Sequence, residues 1–126
     1  MLVFVKESLI IYSMPKTGTT SIDQALTNRS TIRFSGTKNG GLKHISPSGF
    51  RKWEKALEKQ YPDKKFESCC VMREPIEWLG SWYRYRKRDS LKNNPRYLGN
   101  ITFNQFVKNI CDGKGVNPQS KNLFNF

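Results

Sequence analysis

Lys16, Thr17, Gly18, Thr19, Thr20 and Ser21 place one cation, one glycine and four hydroxyls in six consecutive residues, directly after Pro15. Such a set can hold a phosphate-like anion. An apolar β-type run, Leu9-Ile10-Ile11-Tyr12, precedes it, and Ile22, Ala25 and Leu26 follow at helical spacing. The first amides of a helix have no intrahelical acceptor, and the helix dipole adds partial positive charge where they converge. Gly18 lets the main chain approach a ligand closely, and Lys16 supplies a full charge. Walker loops carry their lysine after the last glycine, whereas Lys16 precedes Gly18, which argues against an ordinary ATPase or GTPase.

Two further groups could complete a reaction centre. His44 is the single histidine of the chain and stands beside Lys43; a neutral imidazole accepts a proton near neutral pH. Arg73 offers a planar fork suited to a phosphate. Each residue also has a plainer reading. The 16–21 loop can be a capped turn, His44 a solvated loop residue, and Arg73 the partner of Glu74 or Glu77 in an ion pair.

The elements that must position these residues alternate between strand and helix. Residues 8–13 read as the first strand, 14–18 as the loop and 19–28 as the first helix. Thr31–Ser35 is a short strand, and Thr37–Leu42, with Gly40-Gly41, a mobile loop. Ser46-Pro47 starts a helix carrying Phe50, Trp53 and Leu57 that stops at Tyr61-Pro62. Phe66–Met72 has the pattern of a strand buried on both faces of a parallel sheet. Pro75 opens a helix reaching Lys87, Asp89–Asn100 is a loop, and Thr102-x-x-Gln105 forms a capping box before Phe103, Phe106, Val107 and Ile110. Asp112–Phe126 carries little regular signal. The alternation predicts an α/β fold, a parallel sheet with helices on both faces. The 15–21 loop, Lys43-His44 and Arg73 would then gather at the carboxyl ends of its strands.

A chain of 126 residues with 37% hydrophobic residues is expected to form one globular domain, 1–126. Its net charge of +12 points to an anionic partner without choosing among nucleotide, nucleic acid, acidic polysaccharide and membrane surface. Three cysteines with no Cys-x-x-Cys pair, and one histidine, argue against a structural zinc site and for buried reduced thiols at Cys69, Cys70 and Cys111. Leu9–Tyr12 is far too short to span a membrane, so a soluble, cytoplasmic protein is expected. The run Trp78, Trp82, Tyr83, Arg84, Tyr85, Arg86, Lys87 and Arg88 interleaves aromatics and cations as nucleic-acid binders do. Yet Ile76, Leu79 and Tyr83 form one helical stripe and Trp78, Trp82 and Tyr85 another, so helix burial accounts for most of them and nucleic acid is not the expected partner.

Pro15-Lys16-Thr17-Gly18-Thr19-Thr20-Ser21 resembles the 5′-phosphosulfate loop of sulfotransferases that use 3′-phosphoadenosine 5′-phosphosulfate (PAPS). Val71-Met72-Arg73-Glu74-Pro75, with Ser81 and Tyr83 beyond it, is similar to the element by which that family binds the donor's 3′-phosphate. The resemblance implies a three-layer P-loop-type fold and a sulfuryl transfer from PAPS to an acceptor hydroxyl or amine, releasing PAP, with no metal. Pro15, Lys16, Thr17, Gly18, Thr19, Thr20 and Ser21 would bind the phosphosulfate, and Arg73 and Ser81 the 3′-phosphate. His44 would be the base, and Lys43 and Lys16 would stabilise charge. Ser21 stands where small-molecule cytosolic members carry Trp, which separates this chain from the phenol and steroid enzymes. The family's late Arg-Lys-Gly loop is absent and family domains are commonly longer, which implies an N-terminal portion or a minimal variant. The resemblance therefore also admits an inactive bisphosphate-nucleotide-binding remnant. The acceptor, a carbohydrate or another anionic substrate among the candidates, is not specified by these motifs.

Overall fold

The computed structural model describes residues 1–36 and 42–114. The chain divides into two compact units, Met1–Met72 and Arg73–Phe126.

The first unit is built on a four-stranded mixed sheet. Strand β1 (Leu2–Phe4) runs antiparallel to β2 (Leu9–Tyr12), with Val3 opposite Ile10. The turn between them closes through Ser8, which adopts φ 53° and whose amide donates to the Val5 carbonyl at 3.3 Å. On the other side of β1 lies β3 (Ile32–Arg33), also antiparallel, while β4 (Glu67–Cys70) runs parallel to β2. The order is β3-β1-β2-β4. The class is α/β as expected, but the sheet is not the parallel one predicted. Leu2-Val3-Phe4-Val5 is an apolar run that lies only a tight turn away from β2. A hairpin closes such a short loop at little entropic cost, whereas a parallel neighbour needs a long crossover.

Strand β4 also departs from expectation. It is the edge of the sheet among the described residues, and Glu67, Ser68 and Cys69 are exposed rather than buried on both faces. The apolar Val71 and Met72 beyond it are exposed as well. Of the cysteines, Cys69 and Cys111 are exposed and Cys70 half-buried, all three as free thiols; the burial expected for Cys69 and Cys70 presumed a central strand, and Cys111 falls on an exposed helical position near the chain's last described residues.

Two helices belong to this unit. Helix α1 (Thr19–Leu26) continues into a single 3-10 turn over Thr27–Arg29. Helix α2 (Pro47–Gln60) starts as the sequence predicts, with the Ser46 hydroxyl accepting from the Gly49 amide at 3.2 Å and Pro47 in the first turn. It seals one face of the sheet: Phe50 and Leu57 pack with Met1, Val3, Val5, Ile10 and Tyr12. Because Val3 faces Ile10 across the ladder, alternation puts these strand residues on the same side. Phe50 meets Tyr12 and Phe34 edge-on at 5.9 and 5.5 Å, and burying such a ring contributes about 1.5–3 kcal/mol. Trp53, expected in the same stripe, stays partly exposed against Phe34.

The second unit pairs α3 (Pro75–Arg86) with α4 (Phe103–Cys111), joined through a 3-10 turn at Asp89–Leu91. Glu74 caps α3, its carboxylate accepting from the Ile76 and Glu77 amides at 3.1 and 2.7 Å. The capping box of α4 is reciprocal, Thr102 and Gln105 each satisfying the other's amide. Tyr83 packs on Phe103 and Phe106 and donates its hydroxyl to the Ile101 carbonyl at 2.9 Å. Trp78, Trp82 and Tyr85 follow one another edge to face, as their stripe predicts, whereas Ile76 is 66% exposed and not part of a buried stripe. Residues 37–41, most of the expected Gly40-Gly41 loop, and 115–126 lie outside the described residues.

Candidate functional site

Strand β2 ends at Tyr12 and delivers the chain to the loop at the edge where Val71 and Met72 also leave the parallel neighbour β4, since Tyr12 pairs with Cys70. Two residues of the loop take left-handed backbone: Lys16 at φ 68° and Gly18 at φ 81°. Glycine accepts this conformation freely; lysine does so at a cost of about 1–2 kcal/mol. Alternating left-handed residues curl a main chain so that successive amides face one point. Gly18 is the N-cap of α1 and no side chain caps the helix, which leaves the Thr19 and Thr20 amides without a protein acceptor among the described residues. A Cβ at Gly18 would meet nothing within 4 Å, so the space against it is open.

Not every expected donor is available. The Ser21 and Ile22 amides already donate to the Gly18 carbonyl at 3.0 and 3.3 Å. The Thr17 hydroxyl donates to the Met14 carbonyl at 2.9 Å and braces the turn instead of facing outward. Thr19 is buried, Pro15, Lys16 and Thr17 are half-buried, and Thr20 and Ser21 are exposed.

His44 comes to the stem of this loop. Its Nδ1 lies 2.6 Å from the Ser13 carbonyl oxygen, the residue that links β2 to the loop. A carbonyl can only accept, so Nδ1 carries the proton and Nε2 holds the lone pair. Burial lowers the His44 pKa from its ordinary 6.5 and outweighs the Ser13 bond, which raises it; the neighbouring Lys43 charge lowers it further. Both the burial and the Lys43 charge favour the neutral ring, with its lone pair on Nε2. Lys43 is half-buried, and its carbonyl lies 3.3 Å from the Met1 nitrogen, which ties the segment to β1.

Arg73 and Ser81 belong to the second unit. The Arg73 guanidinium pairs with Glu77 at 2.9 Å across one turn, the plainer alternative that its sequence position allowed. The Glu77 side chain is largely solvated and that of Arg73 36% exposed, and such an i,i+4 pair is worth only about 0.3–0.5 kcal/mol, little against a phosphate competing for the same fork. Ser81 is half-buried on the middle of α3.

Sequence reasoning missed two contributors. Ser13 acts through its main chain, so its side-chain type carries no signal. Asp23 on α1 is buried and holds Arg33 of β3 through a two-pronged pair at 3.1 and 2.5 Å. Bonding to Arg33 lowers the Asp23 pKa below its ordinary 3.8. This pair ties α1, and hence the amides at its start, to the sheet.

Comparison of the chain with models of protein families, with curated proteins and with solved structures finds no match. Among the described residues no helix is long and apolar enough to cross a membrane, and no group of three or more His, Cys, Asp or Glu side chains is placed to hold a metal ion.

Proposed function

We propose that this chain is a PAPS-dependent sulfotransferase domain of P-loop type, passing a sulfuryl group to an acceptor hydroxyl or amine. The observation that carries the reading is the 2.6 Å bond from His44 Nδ1 to the Ser13 carbonyl, which sets the chain's single imidazole at the stem of the anion loop with Nε2 free to take a proton. A phosphosulfate fits the loop: the Thr19 and Thr20 amides lack acceptors, and the open space at Gly18 admits an anion against the backbone. PAPS, when bound, supplies an activated sulfuryl group on a phosphate leaving group.

The chain's own residues then have separate tasks. Thr19 and Thr20 hold the anion through their amides, and Lys16 neutralises charge on it. His44 removes the acceptor's proton at Nε2 and keeps its tautomer through Ser13, while Lys43 lends positive charge beside it. The resemblance gives Arg73 and Ser81 the 3′-phosphate that distinguishes PAPS from ATP, a contact for which Arg73 would have to leave Glu77. Chemistry of this kind rests on positioning and charge stabilisation.

Thermal stability in the presence of adenosine 3′,5′-bisphosphate, AMP and ATP-Mg²⁺ tests the reading. A shift with the bisphosphate alone, abolished by Lys16→Ala, is the expected result; equal shifts with all three overturn it. Transfer of radiolabelled sulfate from PAPS to an acceptor panel then separates an active enzyme from a binding remnant.

A further inference from the structure

Among the described residues Arg86 is the one cationic side chain that the fold buries, at 6% exposure. No carboxylate or carbonyl reaches its guanidinium there; its contact is the face of Trp82, 5.5 Å from the ring centroid. A buried guanidinium ordinarily carries a paired anion, because desolvating the charge without one is costly. Burial and the nearby Arg96 charge both push the Arg86 pKa down, the direction expected when the partner is missing.

Arg86 lines a cavity of about 300 Å³ that lies wholly within the second unit. Arg96 and Lys114 line it too, and no acidic residue does. The remaining wall is mainly apolar, with Leu98, Ile101 and Phe106 among its members. Its rim is structured: Leu98 donates its amide to the Arg86 carbonyl at 3.3 Å, and the Arg96 amide donates to the Asn94 side chain at 2.9 Å. Three cations converging on an apolar hollow form a site with positive potential and a hydrophobic floor. Small-molecule sites have this composition, mostly apolar with a few convergent polar groups.

We propose that this cavity binds an anion with an apolar body, a sulfonate, sulfate or carboxylate carried on an aryl or alkyl group. The anion pairs with Arg86 and Arg96, and the body lies on Leu98, Ile101 and Phe106. The site is separate from the Lys16 loop and does not rest on the sulfotransferase reading.

The test uses the full chain, ¹⁵N-labelled, titrated with naphthalene-2-sulfonate and with its neutral isostere naphthalene-2-sulfonamide. The sulfonate should shift the amide signals of Leu98, Ile101 and Phe106 with saturation, and the sulfonamide should bind at least about tenfold more weakly, since a hydrogen bond to a charged group is lost. Arg96→Gln, at an exposed position, should weaken the sulfonate by a similar factor, and Arg86→Met by more. Lys16→Ala should leave it unchanged. Equal affinity for the two probes, unchanged affinity in Arg96→Gln, or shifts confined to residues 13–21 would each overturn the proposal. Because the Lys16→Ala arm responds only to the loop, failure here and failure of the sulfotransferase reading give different results.

Discussion

Replacing Asp23 with Asn probes the tie that holds the anion loop to the sheet. The wild-type carboxylate accepts two bonds from Arg33, at 3.1 and 2.5 Å, with its own side chain 9% exposed and that of Arg33 46% exposed. Hydrogen bonds to charged groups contribute about 1.5–3 kcal/mol each when buried. The half-solvated guanidinium discounts that range, and Asn retains one acceptor, so the expected loss is about 1.5 kcal/mol for the variant. With a urea slope of about 1.5 kcal/mol/M, the midpoint should fall by about 1 M. A double-mutant cycle with Arg33→Gln should return a coupling above about 1 kcal/mol. The sign with pH follows from the lowered Asp23 pKa. Its contribution is full above the unfolded value of 3.8 and fades as pH drops through the folded value, so wild type and variant should converge in acid. A coupling below about 0.5 kcal/mol would class the pair with ordinary surface bridges and refute the idea that it anchors α1.

Other consequences follow from the same geometry. His44→Asn keeps a donor for the Ser13 carbonyl but removes Nε2; bisphosphate binding should survive while sulfate transfer falls by about 10²–10⁴, and comparable loss of both would assign His44 a scaffolding role only. In the wild type, transfer should decline only as pH drops below the depressed His44 pKa, hence below 6.5, and a decline centred above 6.5 would contradict its burial. Gly18→Ala meets no atom yet must hold φ 81°, so urea titration should show a loss of about 1 kcal/mol; an unchanged midpoint would mean the loop does not hold this backbone. Glu77→Gln frees Arg73 from its pair and should tighten bisphosphate binding about twofold by calorimetry, while Arg73→Ala should remove the preference over AMP.

What could be read from the sequence was local. Ser46-Pro47, the Thr102–Gln105 box and the Pro75 helix start appear where their residue types require, because capping depends on neighbours three or four positions away. The Trp78, Trp82 and Tyr85 contacts follow from helical spacing in the same way. Strand pairing was not legible. Leu2–Phe4 has strand composition, but nothing local says that it claims the flank of β2, and with that flank taken the sheet becomes mixed. Phe66–Met72 reads as a central strand because Phe66, Cys69, Cys70, Val71 and Met72 are apolar; its edge position depends on what else in the chain pairs with it. At the site, residue types located the loop and His44 separately. Their contact runs through the Ser13 main chain, which no side-chain pattern encodes.

Net charge, the clue that first pointed to an anion, discriminates least. A lysine or arginine in water is already solvated by water and counterions, and an anion that approaches it gains little. Discrimination comes where the protein has removed water without supplying a partner. The first unit supplies no acceptor for the Thr19 and Thr20 amides behind its left-handed residues 16 and 18, an arrangement that the proposed function gives to a compact, highly charged oxyanion. The second unit does so with a side chain, Arg86, set in an apolar hollow and suited to a single charge on a greasy body. These chemistries differ enough that one ligand class should not satisfy both. Titrating the chain with bisphosphate and naphthalene sulfonate together should therefore give independent binding, and strict competition between them would mean that one of the two sites has been misassigned.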